Sequence, residues 1–380
     1  MTKKPVISSA QLLLMTVGSA LMFPYTFMPI LNAPPANQDA WIVLLITAAY
    51  IIAFDVPLLF LMNKFRGMGF NEMTETVLGK FFGKAAAVIV ALTFLFCFTA
   101  CMLMAAVFIS LYVLPDTPTW ALLMYIIVPV GYGAFKGAGT IGRLAVFIVP
   151  FIIFTIIVFF LLGLGLMDFN ELQPALADST FLELNKGAFL TSARYTEILI
   201  FAVFSFYLKR NSSLNRTYAA AVGIYTVCFF MMLIPTLTVL GVELGKHVWN
   251  PYFVYTRQVG GYDFIKRVHA LNILAFFPGM ILKLIMYIFM GSQLLSGVVN
   301  AKSHKGFVIP ISAIGFCFCL LPILNKSSTI ELLRSDKVFP FIILPATFAV
   351  PVVIVIVYFI RRKRIKVILD NKNNLQKKPI

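Results

Sequence analysis

Glu197 lies near the middle of an apolar run, Ala188–Tyr207, that is long enough to cross a bilayer. An ionised carboxylate at the centre of a membrane costs at least about 2.5–3.5 kcal/mol, so it is expected to face a cation, a polar cavity or a ligand. Arg194, one helical turn earlier, offers one partner within the same run. The run therefore predicts either a structural ion pair or a polar binding site inside the membrane.

A second intramembrane cation occurs later in the chain. Lys283 lies near the centre of another apolar run, 269–298, and Tyr287 shares its helical face because the two residues are four apart. Glu197, Lys283 and the Tyr287 hydroxyl at similar depth would line one polar cavity. The same three groups would equally suit a dry structural network, and the residue types leave both interpretations open.

The first apolar run contains a backbone signal. Gly18, Ser19 and Ala20 are followed by Pro24, which lacks a backbone donor and disturbs the preceding turn. If the backbone unwinds here, the amides of residues 18–20 become available to an anionic group. The alternative is a kinked but continuous helix that packs through small residues, which is common in membranes.

The sixth apolar run has a matching irregular stretch, Ser192–Glu197, which includes Arg194 and Tyr195. The two stretches occupy the first run of each half of the chain. Paired interruptions of this kind are the best sequence pointer to a binding site in a transporter, because half-helix ends expose backbone amides and carbonyls near the midplane. The pattern predicts a midplane pocket between the first and sixth runs.

Two further residues carry weaker signals. Cys101 lies on a small-residue face of the third run that would form one wall of the pocket, although helix packing is the default explanation. Asp55, just before Pro57, is expected nearer the inner interface, either solvated or capping a helix. Cysteines and histidines lack metal-site spacing, and hydrolase and nucleotide-loop motifs are absent. We predict no enzyme activity, no metal and no cofactor.

Composition identifies the class of protein. The chain has 380 residues, of which 60% are hydrophobic and only 12% charged, and its mean hydropathy is +0.92. Soluble domains have about 45–50% apolar and about 25% charged residues, so these values indicate an integral membrane protein. The net charge of +16 follows membrane topology, and no nucleic-acid-binding signature accompanies it.

Ten apolar runs of spanning length predict an all-α membrane protein. The runs are 8–31, 41–62, 85–113, 119–135, 142–166, 188–208, 218–240, 269–298, 308–324 and 339–360. With the N-terminus inside, the inner segments carry 21 Lys and Arg residues and the outer segments carry 8, which predicts that both termini are cytoplasmic. Ten spans divide into half-repeats at about 8–166 and 188–360, and a five-plus-five duplication produces inverted repeats. We predict one membrane domain, 1–360, and a basic cytoplasmic tail, 361–380.

The order of several segments resembles a known family. These segments are Ile7-Ser8-Ser9-Ala10-Gln11, Val17-Gly18-Ser19-Ala20-Leu21 with Pro24, the mid-span Glu197, Tyr255-Thr256-Arg257-Gln258-Val259, and Phe264-Ile265-Lys266-Arg267-Val268. Together with the ten-span layout, they resemble the B subunits of spore germinant receptors, the endospore germination permease family of the amino acid–polyamine–organocation superfamily. Thr196 stands where we expect Gly before the span-6 Glu in this family, and Lys283 replaces a more typical neutral polar residue.

The resemblance implies a leucine-transporter-type fold in which spans 1 and 6 unwind around a small-molecule pocket. It further implies a nutrient germinant as ligand, often an amino acid, an inner spore membrane location, and A-type and C-type receptor subunits as partners. The alternative is a stand-alone proton-coupled amino acid transporter with Glu197 as the proton carrier. In either case we expect the anionic end of the ligand at the amides of residues 18–20 and its cationic end near Glu197.

Overall fold

The computed structural model describes residues 7–208, 213–259, 268–321 and 338–368. Within these ranges the chain is helical, apart from connecting segments and one isolated bridge between Ile7 and Leu208. The helices are α1 (Ser9–Thr26), α2 (Ala40–Lys64), α3 (Phe70–Leu78), α4 (Lys80–Tyr112), α5 (Thr119–Lys136), α6 (Ala138–Gly163), α7 (Phe181–Ser192), α8 (Glu197–Ser205), α9 (Leu214–His247), α10 (Pro251–Val259), α11 (His269–Val298), α12 (Lys305–Leu320) and α13 (Phe339–Ile360).

Seven of the described helices are long and apolar enough to cross a membrane: α2, α4, α5, α6, α9, α11 and α13. The pair α7 and α8 passes the same test as one span bent by 40°. The two remaining predicted spans correspond to α1 and to α12, which has 16 residues. The chain is therefore an all-helical, multi-pass membrane protein, whereas the count of ten spans and the five-plus-five repeat remain predictions.

The first span is helical where unwinding was expected. Ser8 and Gln11 form a capping box at the start of α1, and the helix continues through residues 18–20 and past Pro24 to Thr26. A short 3₁₀ turn, Pro29–Leu31, follows. The break in this span lies at residues 27–28, near its end, so the prediction of an unwound backbone at residues 18–20 is wrong.

Gly18 explains why this part of α1 stays helical and close-packed. A Cβ atom at Gly18 would overlap the side chain of Val149 on α6, so the glycine permits close contact between the two helices. Small residues serve this purpose in membrane helices, where backbones must approach each other closely. The alternative interpretation, a continuous helix packed through small residues, is the one that the structure supports.

The helix α11 lies at the centre of the bundle. In its most apolar window 72% of the residues are buried, whereas the corresponding value is 33% for α2, α5, α6 and α13. Those peripheral helices expose large apolar side chains such as Phe147, which is 79% exposed, as expected of surfaces that face lipid. The central helix packs against α1, α4, α5, α6 and α12. Lys283 and Tyr287 are therefore carried by the most buried of the seven spanning helices.

Two segments predicted as loops contain helices. An amphipathic helix, α3, fills part of 63–84, and α10 lies within 241–268. The helix α9 extends well beyond the predicted 218–240 and is kinked at Gly241, whose φ of 71° suits glycine. Lys3, Lys4, the motif residues 264–267 and the tail residues 369–380 lie outside the described residues, so the charge-based orientation and the tail remain predictions.

Candidate functional site: two cavities beside a broken helix

The break in the sixth span places Glu197 at the start of a half-helix. Residues 193–196 leave helical geometry between α7 and α8, and Glu197 is the first residue of α8. Neither Gly nor Pro occurs in this stretch. A tertiary contact stabilises it instead, because the Thr196 hydroxyl lies 3.0 Å from the hydroxyl of Tyr287 on α11. The prediction of a broken sixth span is confirmed.

Glu197 forms an ion pair with Lys283 across the bundle. Its Oε1 atom lies 3.6 Å from the Lys283 Nζ atom, and the two side chains are only 8% and 2% exposed. Ser19 joins the pair, because its hydroxyl donates to Glu197 Oε1 at 3.0 Å and its carbonyl accepts from Lys283 Nζ at 2.8 Å. Three helices, α1, α8 and α11, therefore meet at one charged contact.

The backbone group that α1 presents here is an acceptor. The Ser19 carbonyl accepts a hydrogen bond from the Lys283 ammonium, next to the Ala20 carbonyl that has no helical donor because residue 24 is proline. We expected free amides that would bind an anion. The structure instead places an ammonium group against a carbonyl, and residues 18–20 lie within a continuous helix, so the prediction that their amides are free is wrong.

The first cavity is lined by Lys283 but not by Glu197, and it has a volume of about 20 Å³. Its lining residues are Met22, Phe23, Thr26, Phe27, Cys97, Ala100, Cys101, Met104, Arg194, Lys283, Tyr287 and Phe339. Two cations, Arg194 and Lys283, are set in an aromatic and sulfur-rich wall. The Arg194 guanidinium lies 4.8 Å from the Phe339 ring centroid, a cation–π distance. This volume holds about one water molecule, so the cavity is closed to larger solutes in this conformation.

The second cavity is lined by Glu197 but not by Lys283, and it also has a volume of about 20 Å³. Its lining residues are Thr16, Ala20, Ile51, Asp55, Tyr195, Glu197, Tyr218, Ala221, Val222 and Tyr225. Asp55 is only 6% exposed and accepts a hydrogen bond from the Tyr218 hydroxyl of α9. The expectation that Asp55 is solvated near the interface or caps a helix is therefore wrong.

The structure separates the predicted site residues into these two cavities. Cys101, Arg194, Lys283 and Tyr287 line the first cavity, whereas Ala20, Tyr195 and Glu197 line the second. Ser19 contacts both Glu197 and Lys283 but lines neither of these two cavities, and Gly18 packs against Val149 of α6.

Sequence reasoning missed Asp55 and Tyr218 as partners. A carboxylate in the second apolar run was a signal for Asp55, because intramembrane acids are functional candidates by default. Tyr218 gave no such signal.

One end of α1 is held by the segment between α9 and α10. Asn250 donates through its side-chain amide to the carbonyl of Thr26, the last residue of α1. The ring of Trp249 stacks on Phe27 at 6.4 Å, and the Tyr252 ring meets Tyr25 edge-on at 5.2 Å. Because Phe27 also lines the first cavity, this segment covers the end of α1 beside that cavity.

A family model described as "Spore germination protein" matches residues 6–328. The chain belongs to the spore germination protein family. One relative with detectable sequence similarity is the spore germination protein YndE of Bacillus subtilis (strain 168), which is 21% identical over 207 residues. That match covers 54% of this chain and 57% of the length of YndE.

Solved structures show the fold of this member of the spore germination protein family. Mhp1, a nucleobase-cation-symport-1 family transporter solved in a closed conformation with bromovinylhydantoin, superposes with a TM-score of 0.71 over 95% of this chain and 80% of its own, at 14% identity. MhsT in complex with L-phenylalanine superposes with a TM-score of 0.67 over 94% of this chain and 99% of its own, at 13% identity. The manganese transporter of Eremococcus coleocola superposes with a TM-score of 0.56 over 90% of this chain and 78% of its own, at 15% identity. The family member therefore has the leucine-transporter-type fold of these proteins.

Proposed function

We propose that this protein is the membrane subunit of a spore germinant receptor and that it binds a small polar nutrient, of the amino acid class, in the first cavity. The observation that carries the proposal is the pair of buried cations, Arg194 and Lys283, that lines a cavity at the break of the sixth span. Family membership supports the role in germination, and the transporter fold supports a binding site at this break.

The charges of the cavity suggest how the ligand is oriented. Arg194 is buried, lines the cavity and lies against the Phe27 and Phe339 rings, so it is the cation that we assign to the carboxylate of the ligand. The rings of Phe27 and Phe339 beside Arg194 would exclude water and strengthen that contact. Cys101 and Tyr287 would contact the rest of the solute. This orientation replaces the one expected from the sequence.

The closed cavity implies a conformational change on binding. A volume of about 20 Å³ admits roughly one water molecule, so an amino acid enters only when the walls separate. A nutrient that binds the opened and closed states unequally shifts the population of the receptor, which is how such a ligand would signal to A-type and C-type partner subunits.

The experiment uses spores whose only germinant receptor contains this protein, challenged with single amino acids. Arg194→Met should weaken the response to carboxylate-bearing nutrients about 10- to 150-fold, the value of one or two charge-assisted contacts. Arg143→Met, at an exposed position of α6, is the matched control and should leave the response unchanged. An unaltered response in normally accumulating Arg194→Met protein would remove Arg194 from the site.

A stand-alone proton-coupled amino acid transporter is the second candidate. Two buried carboxylates, Glu197 and Asp55, in one cavity favour it, because intramembrane acids mark proton relays. Uptake of labelled amino acids into proteoliposomes under a proton gradient distinguishes the candidates. Concentrative uptake without partner subunits would support the transporter, and binding without uptake would support the receptor.

A further inference from the structure

The second cavity contains more negative than positive charge. Asp55 and Glu197 both line it, and no Lys or Arg is among its lining residues. Lys283 compensates Glu197 from the first cavity, where it also donates to the Ser19 carbonyl. Asp55 receives a hydrogen bond from the Tyr218 hydroxyl, but a neutral hydroxyl supplies no charge. A carboxylate enclosed in this way requires a compensating positive charge.

Three polar atoms at this cavity have no hydrogen-bond partner within the described part of the chain: Glu197 Oε2, the Tyr195 hydroxyl and the Tyr225 hydroxyl. All three side chains are at least nine-tenths buried. An unsatisfied buried polar group costs about 1–3 kcal/mol, so such groups point to an exchangeable occupant. The cavity volume of about 20 Å³ matches one water molecule, which needs two to four polar partners.

The donor set favours a proton over a metal cation. Tyr218 directs its hydroxyl hydrogen at Asp55, and Thr16 donates its own to the Leu12 carbonyl. The α1 carbonyls near the cavity belong to a continuous helix, so few lone pairs remain for a hard cation that needs six or more oxygen ligands. Among the described residues, no group of three or more His, Cys, Asp and Glu side chains is arranged to hold a metal ion.

We propose that Asp55 is the proton-binding site of this protein and exchanges its proton through the second cavity. In the closed conformation Asp55 is a neutral acid hydrogen-bonded within the cavity. On opening, the Asp55 O–H bond breaks and the proton passes to water as hydronium, leaving a carboxylate that Tyr218 stabilises. This assignment moves the proton carrier from Glu197, the residue favoured by the sequence, to Asp55, because Glu197 already has a cation.

The surroundings of Asp55 contain few other groups that titrate. Tyr218 and Tyr225 face it from α9, Tyr195 from the break, and Glu197 from α8. The helices α7 and α13 also pack against α2, but neither contributes a titratable side chain to this cavity.

The exit path that we assign to the proton leads towards a third cavity. Its volume is about 30 Å³, and it lies between the ends of α2 and α8, with Met62, Arg66, Ala202 and Ser205 among its lining residues. Met62 is about 10 Å beyond Asp55 along α2, at 1.5 Å per residue. The charge pattern of the sequence predicts that this end, with Arg66, faces the cytoplasm.

Infrared spectroscopy of the full-length protein in lipid vesicles tests the assignment directly. The wild type at neutral pH should show the C=O stretch of a protonated carboxylic acid, which shifts in D₂O and disappears as the pH is raised. Asp55→Asn should remove the whole band. Glu197→Gln should keep it, and so should Asp168→Asn, an exposed control outside the helices.

Tyr218→Phe is a second variant that retains the ring. Its band should persist to higher pH, because the hydrogen bond that stabilises the ionised carboxylate has been removed. A band that survives in Asp55→Asn and vanishes in Glu197→Gln would overturn the proposal, as would absence of the band in the wild type. An unchanged titration in Tyr218→Phe would also contradict it.

The assignment of an amino acid as the ligand rests on the proposed function, whereas the assignment of Asp55 as the proton-binding site does not. A panel of amino acids added to the same vesicles separates the two. If the band behaves as expected but no amino acid perturbs the spectrum or binds, the proposed function fails and the proton site stands. If an amino acid binds and the band is absent, the proposed function stands and the proton site fails.

Discussion

Removing the Lys283 ammonium should destabilise the protein strongly, because Glu197 would remain buried without its cation. The two side chains are 2% and 8% exposed and 3.6 Å apart, so solvent screens their interaction little. Breaking a buried pair by deleting one partner costs about 3–5 kcal/mol, or two to nearly four powers of ten in the unfolding equilibrium. Lys283→Met is the suitable change, since methionine is long, flexible and apolar.

A double-mutant cycle separates this cost from lost packing. Glu197→Gln alone leaves a buried ammonium and should also be costly. The combined variant removes both charges and should return to within about 1 kcal/mol of the wild type, because neither charge is then left buried without its partner. The assay is reversible unfolding by SDS in mixed micelles.

The pair on α9 between Lys246 and the exposed Glu243 is the matched control, and Glu243→Gln there should change the stability little. Two small single losses that simply add in the double variant would refute the reasoning.

Three other predictions concern packing, the break and pH. Gly83→Ala should destabilise the α3–α4 contact, because the added Cβ atom would lie 2.6 Å from the Glu75 backbone. Gly223→Ala is the control, because a Cβ atom there would meet nothing within 4 Å, and it should stabilise α9 by about 0.5–1 kcal/mol in the same unfolding assay. Tyr287→Phe removes the hydrogen bond to the break and should alter the germination response at a stability cost of only about 0.5–1.5 kcal/mol; if response and stability fall together, Tyr287 is structural. Burial lowers the pKa of His304, which lies before α12, so its contribution to stability is complete above its ordinary pKa of about 6.5 and is lost as the pH falls through the lower folded-state pKa. The melting temperature of the wild type should fall as the pH is lowered below about 6.5, and that of His304→Gln should fall less steeply. Equal pH dependence in the two proteins would contradict this role of His304.

Much of the fold was predictable because hydropathy is a local property. Long apolar runs predicted the seven spanning helices and the bent pair, and the irregular stretch at 192–197 predicted the broken span. The error at residues 18–20 shows the limit of this reasoning. Gly and Pro are compatible with either an unwound or a kinked helix, and the contact of Gly18 with Val149 decides between them.

By itself the sequence determined that this is a membrane protein and that Glu197 and Lys283 lie within apolar runs, where each charge needs a partner, because the cost of charge in a membrane depends on residue type and depth. It left the partner of Glu197 open. Only the tertiary structure brings Lys283 and Ser19 to that carboxylate and places Asp55 in the neighbouring cavity. Charges pair through space, across helices that are far apart in the chain, so their partners follow from how the helices pack.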